Sequence, residues 1–153
     1  MKENFMIDEE YSTWLKELKN KVRIVQIKTA VKVNSEMLRF YWELGAEIIH
    51  KQETAKWGDG FIARLSRDMM TEFPEMKGFS SSNLKYIKQW YLFYNRDNVI
   101  SQQVVGQITQ IPWGHNIAII AKCTNITEAL YYVQNTQLHK EQGRSNRVSR
   151  EMD

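Results

Sequence analysis

The sequence predicts a mostly α-helical fold, and three observations carry that expectation. Two prolines and seven glycines are all that punctuate 153 residues, too few for a loop-rich or all-β design. Neither proline nor a turn cluster interrupts the stretch from Asp8 to about Gln52. Within it Leu15, Leu18, Val22 and Val25 recur at steps of three and four, the period of a helix with one apolar face.

The elements follow in order. Asn34 and Ser35 are placed to cap a second helical segment, in which Leu38, Tyr41, Trp42, Leu44, Gly45, Ile48 and Ile49 form a wide apolar face. The stretch therefore reads as one long helix or as two stacked end to end. Trp57, Gly58, Asp59 and Gly60 make a turn, with Asp59 positioned to cap a helix that contains Ile62, Leu65 and Met69 and ends by Pro74. Glu75 to Phe79 is a short connection holding Gly78, after which Ser80, Ser81 or Ser82 caps a helix running to about Asn95.

Residues 97–112 are ambiguous. Val99, Ile100, Val104, Val105, Ile108 and Ile111 are β-branched and separated by Gln, Ser and Thr, a pattern that suits a short hairpin near 99–111 as well as an irregular helix. Pro112, Trp113 and Gly114 punctuate the chain before an apolar run from Ile117 to Ala121. Thr127 and Glu128 then open a helix containing Leu130, Tyr131 and Val133. The expected organisation is a single helical domain over 1–143 and a polar, basic tail over 144–153.

Composition excludes several classes of function. Cys123 is the sole cysteine, so no intrachain disulfide forms and a reducing cytoplasm is the expected compartment, with Cys123 as a small buried hydrophobe. The start MKENFMIDEE places acids where an export signal would have its apolar run, and no apolar stretch approaches the ~20 residues that span a bilayer. No membrane partner is expected. The net charge of +3 is mild, so any anionic partner must be argued from where the charge sits.

The charge sits informatively around Gly78. A helix, a connection and a second helix opening in Ser-Ser-Ser-Asn follow the order of a helix-turn-helix, whose second helix offers its N-terminal residues to base edges. Leu84, Ile87 and Tyr91 fall at helical spacing and are expected to face the core, leaving Ser81, Ser82, Asn83, Lys85, Lys88 and Gln89 largely outward. Asn and Gln pair with adenine, Ser bonds bases or phosphate, and Lys neutralises phosphate. From Glu75 to Arg96 the charges are Lys77, Lys85, Lys88 and Arg96 against Glu75 alone. The candidate DNA-binding set is thus Lys77, Ser81, Ser82, Asn83, Lys85, Lys88 and Gln89. The same polar residues also suit plain helix capping, and the connection exceeds the usual three to four residues. Tyr86, Trp90, Tyr91, Phe93 and Tyr94 are read as core rather than as a stacking platform.

Two further basic regions carry a bland reading beside a functional one. Lys16, Lys19, Lys21, Arg23, Lys28 and Lys32 stand against Glu17 alone on the first helix. They form either a phosphate-binding stripe or the solvated side of a helix whose Leu15, Leu18, Val22, Val25 side makes a dimer seam. Lys140, Arg144, Arg147 and Arg150 enrich a tail that is equally a frayed end.

Catalytic constellations are absent from the sequence. His50, His115 and His139 are far apart, no phosphate-loop, dinucleotide or esterase motif occurs, and no metal or cofactor is expected. Glu17-Leu18-Lys19 and Glu75-Met76-Lys77 match the E-x-K fragment of metal-dependent nucleases. The first falls mid-helix and the second in a turn, whereas that chemistry needs a strand and a second carboxylate. Trp113 is expected to be packed and His115 to be hydrogen-bonded locally.

Three motifs in order carry a family resemblance: Tyr41-Trp-Glu-Leu-Gly45, Phe73-Pro-Glu-Met-Lys-Gly-Phe-Ser-Ser-Ser-Asn-Leu-Lys-Tyr86 and Ile111-Pro-Trp-Gly-His-Asn116. With Trp57-Gly58, the helix from Leu65 to Phe73 and Lys122-Cys123, they resemble the N-terminal domain of the YhcG-like PD-(D/E)XK nuclease family, a bacterial family. The resemblance covers most of the chain and implies a helix-turn-helix-like helical domain that a nuclease-like domain follows. That second domain is absent from this sequence, so no inherited nuclease activity is expected. Where the family reads Gly-Trp-Ser-Arg, this chain has Gly143-Arg144-Ser145-Asn146. The expected function is a DNA-binding module, taking duplex DNA, that positions a nuclease-like partner domain or acts alone. The alternative is a protein-interaction module that forms a homodimer through its first helix.

Overall fold

In the computed structural model the described residues are 2–29, 35–55, 57–58, 60–96 and 102–136, with side chains of the first helix described over 8–26. The fold is all-α. Its elements are α1 (Lys2–Thr29), α2 (Ser35–Thr54), α3 (Gly60–Glu72), a 3-10 turn (Lys77–Phe79), α4 (Ser81–Tyr94), α5 (Gln102–Ile108), α6 (Trp113–Lys122) and α7 over 126–136, with no strand among the described residues. The chain divides into two compact units, 1–91 and 92–153.

In the first unit, α1 and α2 lie side by side rather than end to end. Lys21 Nζ on α1 reaches Glu47 Oε1 on α2 at 2.8 Å, while Thr13, Trp14 and Glu17 share a surface groove with Lys51 and Thr54. Residue numbers fall along one helix as they rise along the other, so the pair is antiparallel. The physical reason is burial: folding back covers Leu18 and Val22 of α1 and Leu44 and Ile48 of α2, each such side chain contributing about 1.5–3 kcal/mol.

The amino-terminal half of α1 is fixed by aromatic packing. Tyr11, Trp14, Trp57 and Phe61 form a cluster with ring centroids 4.8–6.2 Å apart in tilted or edge-on arrangements, as ring quadrupoles favour. The Tyr11 hydroxyl donates to Asp68 Oδ2 at 2.6 Å, and Arg64 lies over the Tyr11 ring while bonding Asp8. α3 turns Phe61, Ile62, Leu65, Ser66 and Met69 inward. Its Ser66 hydroxyl donates to the Phe79 carbonyl at 2.7 Å, which ties the following connection to the helix. The expected caps Asp59 and Asn34 lie outside the described residues.

In the second unit the open reading of 97–112 resolves in favour of helix over 102–108, and the hairpin is corrected there. Val105 and Ile108 are buried one turn apart, and the hydroxyl of buried Thr109 donates back to the Val105 carbonyl at 2.7 Å. Burial at a three-residue step outweighs the weak strand preference of β-branched side chains. Trp113 and Gly114, expected as punctuation, are the first turn of α6, with Pro112 at its N-cap. α7 begins at 126, where Asn125 Oδ1 accepts the Glu128 backbone N–H at 2.8 Å. The helix therefore opens one residue before Thr127 and is capped by Asn125.

The connection before α6 is held by Asn116, which is fully buried. Its side-chain Nδ2 donates to the carbonyls of Ile108, Ile111 and Pro112 at 2.9, 3.3 and 3.4 Å. The local hydrogen bonding expected of His115 belongs to its neighbour: His115 is exposed and its imidazole makes no hydrogen bond among the described residues. Trp113 is half-buried. Cys123 is buried, its backbone N–H closes α6 on the Ile119 carbonyl, and burial raises its thiol pKa.

Candidate nucleic-acid interface

The candidate surface is the start of α4 with the connection before it. Ser80 is the cap, its Oγ accepting the Asn83 backbone N–H at 3.1 Å while its carbonyl receives the first helical bond from Leu84 at 2.9 Å. Ser81 and Ser82 are then first-turn residues, whose amides precede any intrahelical acceptor.

One side of α4 is core. Leu84, Ile87 and Trp90 have no exposed surface. Trp42 of α2 meets Trp90 edge-on at 5.4 Å and Tyr91 at 4.8 Å. Gly45 lets the two backbones approach, since a Cβ there would lie 2.9 Å from Tyr91 Cβ and 3.1 Å from the Ile87 carbonyl oxygen.

The connection is fixed from the same helix. Tyr41 lies against Gly78 so closely that a Cβ at 78 would collide with its Oη. Asn83 Nδ2 donates to the Gly78 carbonyl at 2.7 Å, and the same side chain hydrogen-bonds the Tyr41 phenol. Burial raises the Tyr41 pKa, and the bond to Asn83 offsets part of that rise. The YWELG and KGFSSSN segments thus meet through packing that their separation in sequence does not reveal.

The predicted residues divide accordingly. Ser82, Lys85 and Gln89 are exposed and line one shallow depression. Lys77 is exposed on the 3-10 turn, outside that depression. Ser81 and Lys88 are half-buried, and Asn83, also half-buried, directs its amide inward. Tyr86, expected among the core aromatics of α4, is instead exposed in the same depression. The signal available was its helical register, four residues beyond Ser82 and one beyond Lys85.

Electrostatics separate the basic regions. On α1, Lys19 and Arg23 pair with Glu72 of α3, and Lys21 pairs with Glu47 of α2. Among the described residues, Lys77, Lys85 and Lys88 make no ion pair. Positive charge is therefore compensated along much of the described α1 and left open around α4. The side chains of Lys28 and Lys32, and the basic tail, lie outside the described residues. Glu17 to Lys19 lies inside α1 and Glu75 to Lys77 in the connection, neither on a strand. No group of three or more His, Cys, Asp or Glu among the described residues is arranged to hold a metal ion. No described helix is long and apolar enough to cross a membrane.

Comparison with known proteins adds an independent observation. A family model described as the DUF1016 N-terminal domain matches residues 17–151. The chain is 31% identical over 88 residues to a protein of Escherichia coli (strain K12) named "Putative nuclease YhcG", a match covering 55% of this chain and 23% of that protein. The chain thus spans under a quarter of that relative's length in the matched region. No solved structure matches.

Proposed function

The chain belongs to the DUF1016 N-terminal domain family, and from that premise we propose that it is a DNA-binding helical module which engages duplex DNA through the start of α4. The observation that carries this reading is the open positive charge of Lys85 beside the exposed hydroxyl of Ser82 and amide of Gln89, with a second unpaired cation, Lys77, on the 3-10 turn before the helix. A cation for phosphate next to a donor–acceptor side chain for base edges is the chemistry that DNA recognition uses. In this reading α3, the connection and α4 act as a helix-turn-helix, with residues 1–143 the working module, 144–153 a basic tail and the cytoplasm the compartment. Lys88 joins through its ammonium, Ser81 through its first-turn amide, and Asn83 chiefly by holding the connection in shape.

The family relation supports a role beside nuclease chemistry: the relative is named "Putative nuclease YhcG", and this chain matches a minor part of it. The module positions a nuclease-like domain or acts alone, and supplies no catalytic residue of its own. The self-pairing alternative draws less support, because Leu18 and Val22 of the supposed seam are 1% exposed within this chain.

Fluorescence anisotropy with a labelled duplex at two salt concentrations tests the proposal. Affinity is expected to fall steeply with salt through counterion release. Mass that depends on protein concentration, with no response to DNA at low salt, would replace it with the interaction-module reading.

A further inference from the structure

Tyr86 is 42% exposed, and it shares its depression with Ser82, Lys85 and Gln89. Positions 82, 85, 86 and 89 lie on one helical face, linked by the three- and four-residue steps 82–85, 82–86, 85–89 and 86–89, turned away from Leu84, Ile87 and Trp90. The other aromatic residues of α4 have structural partners or are buried: Trp90 and Tyr91 meet Trp42, and Phe93 and Tyr94 pack edge-on at 5.0 Å. Tyr86 alone among them makes no ring contact with the described residues.

An intact duplex has little use for that ring. Its bases are stacked face to face and present only their edges to a groove, so a tyrosine in the middle of the contact stripe meets no base face. An unpaired base does offer a face, and aromatic rings beside cations are how proteins hold such bases. The neighbours of Tyr86 complete the requirement. Lys85 carries unpaired positive charge for the adjoining phosphate, and Gln89, about one turn on, has both a donor and an acceptor for the edge of a stacked base.

Resting on the DNA-binding reading of α4, we propose that the preferred ligand is duplex DNA interrupted by a single-stranded stretch, with one unpaired base stacked on Tyr86 and its flanking phosphate held by Lys85. Ser82, at the rim of the same depression, bonds the next phosphate or base edge.

The test compares the full chain on two labelled probes of one sequence, an intact duplex and the same duplex with a short gap, and then places 2-aminopurine in the gap. The gapped probe is expected to bind roughly five- to a hundredfold more tightly, the range for one stacked base, with quenching of the 2-aminopurine emission. Tyr86→Leu should abolish the preference and the quenching, Tyr86→Phe should keep both, and Lys85→Ala should weaken both probes. Because Tyr86 is on the surface, circular dichroism should show Tyr86→Leu folded, and Tyr86→Gln serves as a second non-aromatic variant. Equal affinity for the two probes, or a preference that survives in both non-aromatic variants, would overturn the stacking proposal and leave DNA binding standing. Absence of salt-sensitive binding to either probe would overturn both.

Discussion

The phenol of Tyr41 on α2 occupies the space that a side chain at Gly78 would need. This relationship couples a residue in the middle of a helix to the geometry of the connection before α4. Gly78→Ala should push Tyr41 aside, loosen its bond to Asn83 and destabilise the protein by about 1–3 kcal/mol, the usual cost of overpacking. Combining Gly78→Ala with Tyr41→Phe removes the colliding oxygen, so the double variant should lose less than the sum of the two singles. Strict additivity in a denaturant-unfolding cycle would show that the two residues do not press on one another.

Gly45→Ala offers a test of the α2 to α4 packing. Alanine is the better helix former by roughly 1 kcal/mol, yet its methyl would meet Tyr91 Cβ and the Ile87 carbonyl, neither of which is the far end of a flexible side chain. The steric term should win. A lower unfolding midpoint, by about 1–3 kcal/mol in stability, is the expected result, and a rise would mean that the helices separate readily.

The contrast between compensated and open charge makes a prediction about salt. Lys85→Ala with Lys88→Ala should weaken binding to all DNA probes and reduce the slope of log affinity against log salt by roughly one to two. Lys21→Ala with Arg23→Ala removes as much formal charge, but from residues paired with Glu47 and Glu72. That variant should leave the slope nearly unchanged. Equal effects from the two pairs would mean that net charge, rather than its placement, governs binding.

Alkaline pH should unfold the protein through its buried phenols. Burial raises the pKa of Tyr11, Tyr41 and Tyr94, and the bond from Tyr11 to Asp68 adds to the first. In the unfolded chain these groups ionise near about pH 10, whereas in the folded chain they hold their protons to higher pH. Their contribution to stability is therefore complete below that value and declines as pH rises through it toward the folded pKa values. Denaturant midpoints between pH 8 and 11 should fall at the alkaline end, with phenolate absorbance appearing together with unfolding.

The sequence made most of the helices legible because burial follows a period that the chain displays. Leu18, Val22, Leu84 and Ile87 lie inside as their spacing requires. What escaped was information carried between elements. The charge run on α1 looks open in sequence because Glu47 and Glu72, which pair with its Lys19, Lys21 and Arg23, belong to other helices. Tyr91, expected in the core, is half-buried beside Trp42 of another helix, whereas Trp90 in the same turn is fully buried. Asn83 has the side chain of a base reader, but a carbonyl at Gly78 and a phenol on α2 engage it first. Tyr86 was hidden by its aromatic neighbours, since composition alone does not distinguish a ring that faces outward from four that do not.

Asn116 gives the protein a route to chemical ageing. A single amide nitrogen serves the carbonyls of Ile108, Ile111 and Pro112, and hydrolysis of that amide to a carboxylate would replace a shared donor with a charged acceptor facing three oxygens. Within the folded helix, burial and the bulky Ile117 that follows hinder the backbone attack by which asparagine deamidates. Unfolding removes that shelter. Long heating should therefore turn reversible unfolding into progressive, irreversible loss of the folded second unit, recorded as a one-dalton gain on the peptide that contains residue 116.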